Sequence, residues 1–223
     1  TMVSGVADFN GDGRADILRW FDIVGNNVVY LADGPSASWS FKEASYYNLS
    51  NTPLGLSNGT LGSLVGDFNG DGKADILRWS DTASSNALIW EQSPLSPDLV
   101  TRVTSGLGNA TNVAYKPLTD STVYTKDSGA AYPYTDVIGP MYVVASHTVP
   151  DGIGGTRSVT YKYTGARAHL TGGGFMGFRL FDVTDVSTGI KTSTSFNQIY
   201  PYAGLPLTVT QTQSNGSIMD SVT

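Results

Sequence analysis

The chain contains no cysteine. That excludes a disulfide framework, a thiolate zinc site and a cysteine nucleophile together. Histidine is scarce as well: His147 and His169 are the only two, and they do not fall in a metal-binding spacing such as His-x-x-x-His. No Gly-x-Ser-x-Gly elbow of a serine hydrolase is present. No apolar run approaches the roughly 20 residues of a transmembrane helix, so direct membrane insertion is not expected. Positive charge is the minority sign, with 13 Lys and Arg against 19 Asp and Glu and a net charge of −6. Nucleic acid and anionic membranes both call for a cationic surface, so neither is an expected partner. The opening Thr1-Met2-Val3-Ser4-Gly5 lacks the basic and apolar regions of a signal peptide, and Met219 to Thr223 carry no stop signal. The expectation is a segment of a longer protein whose targeting information lies elsewhere.

What the chain does have is glycine, 26 residues of it, with 10 prolines, set between short apolar runs. That is the texture of a turn-dense β-protein, and 223 residues are enough to bury a core. No window carries helical periodicity. The four sequons at Asn48, Asn58, Asn109 and Asn215 are what chance supplies in a chain rich in Asn, Ser and Thr.

A repeat dominates the first half. Asp8-Phe9-Asn10-Gly11-Asp12-Gly13-Arg14-Ala15-Asp16-Ile17-Leu18-Arg19-Trp20 recurs as Asp67-Phe68-Asn69-Gly70-Asp71-Gly72-Lys73-Ala74-Asp75-Ile76-Leu77-Arg78-Trp79, with Arg14 against Lys73 as the sole difference. In each copy an apolar run follows, Val28-Val29-Tyr30-Leu31 and Ala87-Leu88-Ile89-Trp90. Each unit reads as loop, strand, turn, strand. In the first unit Trp39-Ser40-Phe41 and Leu61 to Val65 are candidates for two further strands. Four short strands in a unit of about 59 residues match a propeller blade.

The loops themselves point to a hard cation. Oxygen donors fall at alternate positions: Asp8, Asn10, Asp12, the backbone carbonyl of Arg14, then Asp16. The second copy offers Asp67, Asn69, Asp71, the carbonyl of Lys73 and Asp75. Calcium takes six to eight oxygens at about 2.3–2.6 Å, whereas magnesium keeps its waters and prefers fewer protein ligands. Gly13 and Gly72 permit the bend because they lack a Cβ. Two calcium sites are therefore expected. The first seven positions resemble an EF-hand, but position twelve is Arg19 or Arg78 instead of Glu, and a strand follows instead of a helix. The ninth-position Asp has to close the site, and a modest Kd of ~10⁻⁴ M is expected.

This motif resembles the FG-GAP or VCBS repeat of calcium-stapled β-propellers, over about residues 1–100. The resemblance implies a metal that rigidifies an inter-strand loop and does no chemistry. Two blades alone do not close a propeller, which has about 4–8. The remaining blades would come from elsewhere in the protein or from a partner chain.

From about Ser105 the acidic loops stop. Ser158-Val159-Thr160-Tyr161-Lys162-Tyr163 alternates with period two, placing Val159, Tyr161 and Tyr163 on one face, and Leu207-Thr208-Val209-Thr210 does the same. Asp151 to Gly155 and Thr171 to Gly174 are turn signals, and Asp185-Val186-Ser187-Thr188-Gly189 reads as a hairpin loop. Several stretches here resemble the middle domain of the B component of bacterial insecticidal toxin complexes, of the Rhs/YD-repeat family. They are Ser105 to Gly108 with Val113 to Thr125, Tyr161 to Arg167, Gly172 to Arg179, Asp182 to Gly189 and Tyr200 to Pro206. In that family the segment lies between a propeller that docks on a pore-forming subunit and a shell that encloses a cytotoxic effector. The implied partners are the other subunits or domains of a toxin complex, and the implied location is secreted or on the bacterial cell surface. Absence of cysteine is compatible with secretion where bound calcium supplies the staple.

The fold expectation is thus all-β: propeller-like blades with calcium loops over 1–104, then a β-rich middle domain over 105–223. The function expected is non-enzymatic scaffolding in a toxin complex. Asp182 and Asp185 are expected to shape a turn, and Arg157, Arg167 and Arg179 to decorate strands. A carbohydrate-binding or adhesin module is the rival, because Trp39 or Trp90 is a candidate sugar platform. Trp20 and Trp79, at equivalent repeat positions, are expected in the blade core. A hydrolase with a cleft not visible in sequence is a third, weaker reading.

Overall fold

The computed structural model describes residues 2–21, 27–33, 40–43, 61–80, 86–89 and 99–222. Trp39, Trp90 and the sequons at Asn48 and Asn58 lie outside the described residues. Among those described, every regular element is a β-strand, and no helix is long and apolar enough to cross a membrane. The chain divides into two compact units, Thr1–Leu99 and Val100–Thr223.

In the first unit, β1 (Met2–Ala7), β2 (Asp16–Phe21), β3 (Val28–Asp33) and β4 (Ser40–Glu43) form an antiparallel sheet in sequence order. A second sheet repeats the pattern with β5 (Leu61–Gly66), β6 (Asp75–Ser80) and β7 (Ala87–Ile89). The registers are equivalent: Val6 faces Ile17 in the first sheet as Val65 faces Ile76 in the second. Each acidic loop connects the first two strands of its own sheet.

Both sides of these strands are apolar, because Ile17 and Leu18 are adjacent and adjacent strand residues point to opposite faces. The two sheets use this to build one core. Phe9, Leu18, Trp20 and Val29 of the first sheet and its loop bury against Ala74 and Ile76 of the second repeat, with Val65 and Ile89 packed alongside. Each large side chain buried here contributes about 1.5–3 kcal/mol. Gly5 makes the approach possible. A Cβ there would sit 3.1 Å from the Trp20 ring and 3.3 Å from Val65 Cγ2.

The second unit holds one sheet of ten strands. They are β8 (Arg102–Thr104), β9 (Ala110–Pro117), β10 (Tyr124–Thr125), β11 (Tyr134–Asp136), β12 (Tyr142–Pro150), β13 (Thr156–His169), β14 (Gly174–Asp185), β15 (Lys191–Phe196), β16 (Pro206–Thr212) and β17 (Ile218–Val222). The main order is β17-β16-β15-β14-β13-β12-β9-β8. The long strand β13 takes β14 along one edge. Its other edge is shared by β12, then β10 in parallel at Tyr124↔Tyr163, then β11 at Tyr134↔His169.

Register separates the two faces of this sheet. Tyr163, Phe181, Thr194, Val209 and Val222 are successive cross-strand partners and form one largely apolar row. On the opposite face Lys162, Asp182, Ser193, Thr210 and Ser221 form a polar row. The core lies on the apolar side, where Leu118, Val123, Tyr124, Val143 and Ala166 are buried beside Tyr163 and Phe178.

Candidate functional site

In the first acidic loop the side chains of Asp8, Asn10 and Asp12 turn onto the backbone. Asp8 Oδ1 accepts from the amides of Gly11 (2.7 Å) and Asp12 (3.2 Å), and Oδ2 from Gly13 (2.8 Å). Asn10 Oδ1 accepts from Asp12 N at 3.0 Å, and Asp12 Oδ1 from Arg14 N at 2.9 Å. Gly11 and Gly13 both hold positive φ, 77° and 79°, so the loop requires two such glycines and not one. Asp16 closes the loop from β2. It is fully buried, with Oδ2 accepting from Phe9 N and Oδ1 from Ala32 N, both at 2.8 Å. The second loop repeats this geometry. Asp67 caps Gly70, Asp71 and Gly72; Asn69 caps Asp71; Asp71 caps Lys73; and the buried Asp75 accepts from Phe68 N at 3.1 Å.

Charge is crowded here. Burial pushes the Asp16 carboxyl up from its ordinary value, the amides of Ala32 and Phe9 pull it back, and the negative Asp12 and Asp8 add to the upward push. Arg14 lies 3.6 Å from Asp12 and half-exposed, whereas its counterpart Lys73 is buried. Among the described residues no group of three or more His, Cys, Asp or Glu side chains is gathered closely enough to hold a metal ion. In the bonds just given the loop carboxylates accept backbone amides. Their donor chemistry is all oxygen; Asp8 Oδ1 and Asp67 Oδ1 each accept two amides, while Oδ2 of each accepts one and keeps a second lone pair.

The two loops touch. Ala74 N donates to the carbonyl of Asp8 at 2.8 Å, so the second loop docks on the first. Their surroundings differ as a result. Phe9 and Trp20 are 0% and 9% exposed, and the equivalent Phe68 and Trp79 are 44% and 42% exposed. The expectation that both tryptophans lie in the core therefore holds for Trp20 alone. Trp79 lies over Gly62 of its own sheet.

The second unit carries three features of its own. An apolar cleft of about 310 Å³ is lined by Tyr163, Phe178, Phe181 and Phe196 with Gly177 and Gly204. A second cleft, about 290 Å³, is lined by His169, Thr171, Gly172, Gly173 and Tyr200. The third is a clamp around β13. Arg179 holds Asp127 by two bonds, 2.6 and 3.0 Å, and keeps its carboxyl below the usual range. Gln198, buried, donates Nε2 to the carbonyls of Gly165 (2.6 Å) and Gly177 (2.8 Å), both positive-φ glycines within strands. Sequence reasoning missed Gln198, and no local signal marks it.

The candidates for chemistry are not brought together. His147 Nδ1 meets Tyr161 Oη at 2.9 Å, and His169 Nδ1 accepts from Gly173 N at 3.3 Å. Neither ring pairs with a carboxylate among the described residues. Asp185 does shape the hairpin loop, accepting from Ser187 N, Ser187 Oγ and Thr188 N. Asp182 does not; it stands inside β14 on the polar face, 3.8 Å from Lys191 Nζ. The three arginines are partners and not decoration: Arg157 binds Asp185 at 2.8 Å, Arg167 reaches Asp136 at 3.4 Å, and Arg179 holds Asp127.

Over residues 35–203 the sequence matches the family TcdB_toxin_midN, the insecticide toxin TcdB middle/N-terminal region. The chain belongs to that family. The matched span begins within the first unit and runs through most of the second. Among solved structures, TcdB2-TccC3 without its hypervariable C-terminal region shares the fold. It aligns with TM-score 0.61 and 15% identity over 90% of this chain and 10% of that one. TcdB2-TccC3-Cdc42 aligns with TM-score 0.56 and 14% identity, over 94% and 9%. The chain thus spans about a tenth of the length of these neighbours. No curated protein matches it.

Proposed function

We propose that this chain is a non-enzymatic scaffold segment of a secreted, B-type toxin-complex component, stapled by calcium, which assembles with a pore-forming subunit and an effector shell. The observation that carries the reading is the pair of near-identical acidic loops, the second of them inside the span that matches the TcdB family. Both loops are preorganised by the same amide bonds and are docked to each other through Ala74 and Asp8. Asp8, Asn10, Asp12, the Arg14 carbonyl and Asp16 would hold one ion; Asp67, Asn69, Asp71, the Lys73 carbonyl and Asp75 would hold the other. Bound calcium would relieve the crowding of negative charge that Asp16 experiences from Asp8 and Asp12. In such a site the amides that bond these carboxylates would serve as their outer hydrogen-bond partners. The two repeats act as blades of a propeller completed by further blades.

Among the described residues His147 bonds Tyr161 and His169 bonds Gly173, with no carboxylate paired to either ring, which favours binding over chemistry. A test is to immobilise the chain and measure its binding to the pore-forming subunit of its own toxin complex in calcium. Saturable binding that free sugars do not displace is expected. No binding to that subunit, with specific recognition on a glycan array, would move the assignment to the rival reading. One observation favours that rival: the cleft at His169 and Thr171 is bordered by Tyr200, 66% exposed, a flat ring of the kind on which a sugar stacks.

A further inference from the structure

The backbone hydrogen bond between the two acidic loops falls on residues that both sites would use. Ala74 N donates to the Asp8 carbonyl at 2.8 Å. That N–H belongs to the same peptide group as the Lys73 carbonyl, the oxygen offered to the second ion. Asp8 opens the donor set of the first loop, and its carbonyl shares a peptide group with the N–H of Phe9. Phe9 N in turn donates to Asp16 Oδ2 at 2.8 Å, and Asp16 closes the first site. Two peptide groups in series therefore connect a donor oxygen of the second site to a donor carboxylate of the first. The relay is sheltered from water: Phe9 and Ala74 belong to the core of the first unit, and Asp16 is fully buried.

We infer that the two calcium sites are coupled through this relay, so that filling either one raises the affinity of the other. The inference rests on the calcium reading above and adds its regulation. A peptide group is a resonance hybrid, so its oxygen and its N–H respond together. Coordination of the Lys73 oxygen would draw density along the C–N bond and make the Ala74 N–H a stronger donor. The Asp8 carbonyl would pass the change to the Phe9 N–H and so to Asp16, each bond in such a chain gaining about 10–30%. Order acts in the same sense. Lys73 N is held by Asp71 Oδ1 at 2.9 Å, so fixing the second loop fixes the peptide that bonds Asp8. That ordering entropy is lost once, and the second binding event loses less of it. The relay is built in one direction, because its counterpart would begin at Ala15, which is exposed where Ala74 is buried. Its effect is reciprocal all the same: each site changes the affinity of the other by one common factor.

The test is calcium titration of the whole chain by calorimetry in about 0.1 M and about 1 M salt, with amide proton resonances followed alongside. Wild type, Asp12→Ala and Asp71→Ala are compared. Wild type is expected to bind two equivalents with positive cooperativity, a result that needs no variant. Each variant is expected to bind one, and its remaining site should be weaker than in wild type by about fivefold or more, by the same factor in both. The cooperativity should persist at high salt, because a buried relay is not screened, whereas repulsion between two ions through solvent would oppose the second and fade. In Asp12→Ala, with the second site alone filled, the Phe9 amide proton is expected to move downfield. Independent sites in wild type, negative cooperativity, or a Phe9 proton that ignores calcium in Asp12→Ala overturns the relay and leaves the two staples standing. No calcium binding at all overturns the staples and the relay together.

Discussion

Asp12 and Asp71 are the residues on which the metal reading turns. Each accepts the amide two positions on through Oδ1, leaving further lone pairs for an ion. Asp12→Ala and Asp71→Ala are each expected to remove one calcium equivalent by calorimetry and to lower the melting temperature in saturating calcium. Gly165 gives a residue-scale prediction that needs no metal. Its φ is +68°, and an added Cβ would run into the Asp127 carboxylate that Arg179 holds. Gly165→Ala is expected to cost about 1–3 kcal/mol by urea denaturation. These two cases differ in how far sequence reveals them. The acidic loops announce themselves, because donors at alternate positions are a local pattern. Gly165 and Gln198 do not, since the bonds that define them span 33 residues for Gln198 to Gly165 and 52 for Arg179 to Asp127.

Among the elements, β13 and β14 form the spine of the second unit, and Gln198 repairs the places where they depart from regular pairing. The register shifts between Ala166 and Ala168, and the carbonyls of Gly165 and Gly177 leave the ladder for the Gln198 amide. Gln198→Leu would leave both carbonyls without that donor, and a loss of about 1–3 kcal/mol is expected from thermal or urea unfolding. The turn after β9 offers a pH test. Asp120 is held to about 2, from its ordinary 3.8, by Lys116 and by Thr122. A depressed carboxylate stabilises the fold above its unfolded value and stops doing so as pH falls through the folded one. Wild type should therefore lose stability between about pH 4 and pH 2, and Asp120→Asn should show a shallower fall over that window. The period-two pattern of Val159, Tyr161 and Tyr163 was legible in advance because one strand suffices to show it. The strand partners were not, since three different segments compete for one edge of β13.

For the whole molecule, two units with different supports should respond differently to calcium. All four tryptophans, Trp20, Trp39, Trp79 and Trp90, belong to the first unit. Tryptophan emission therefore reports that unit alone, and far-ultraviolet dichroism reports both. Chelation is expected to lower the emission midpoint and leave a second dichroism transition in place; a single transition shifted as a whole would show the units melting as one. The repeat was legible in sequence and so was the β-rich character of both halves. The inequality of the repeats was not. Phe9 and Phe68 have identical neighbours in sequence, and only the docking of one sheet on the other buries the first and leaves the second exposed.

The central claim is that the acidic loops are calcium staples of a scaffold. The measurement that reaches it most directly is a calcium titration by calorimetry on the whole chain, followed by melting with and without chelator. The account predicts two equivalents with a Kd of ~10⁻⁴ M and a clear fall in melting temperature when calcium is removed. No heat of binding and superimposable melting curves would contradict it, and the loops would then be acidic turns held by their own backbone amides.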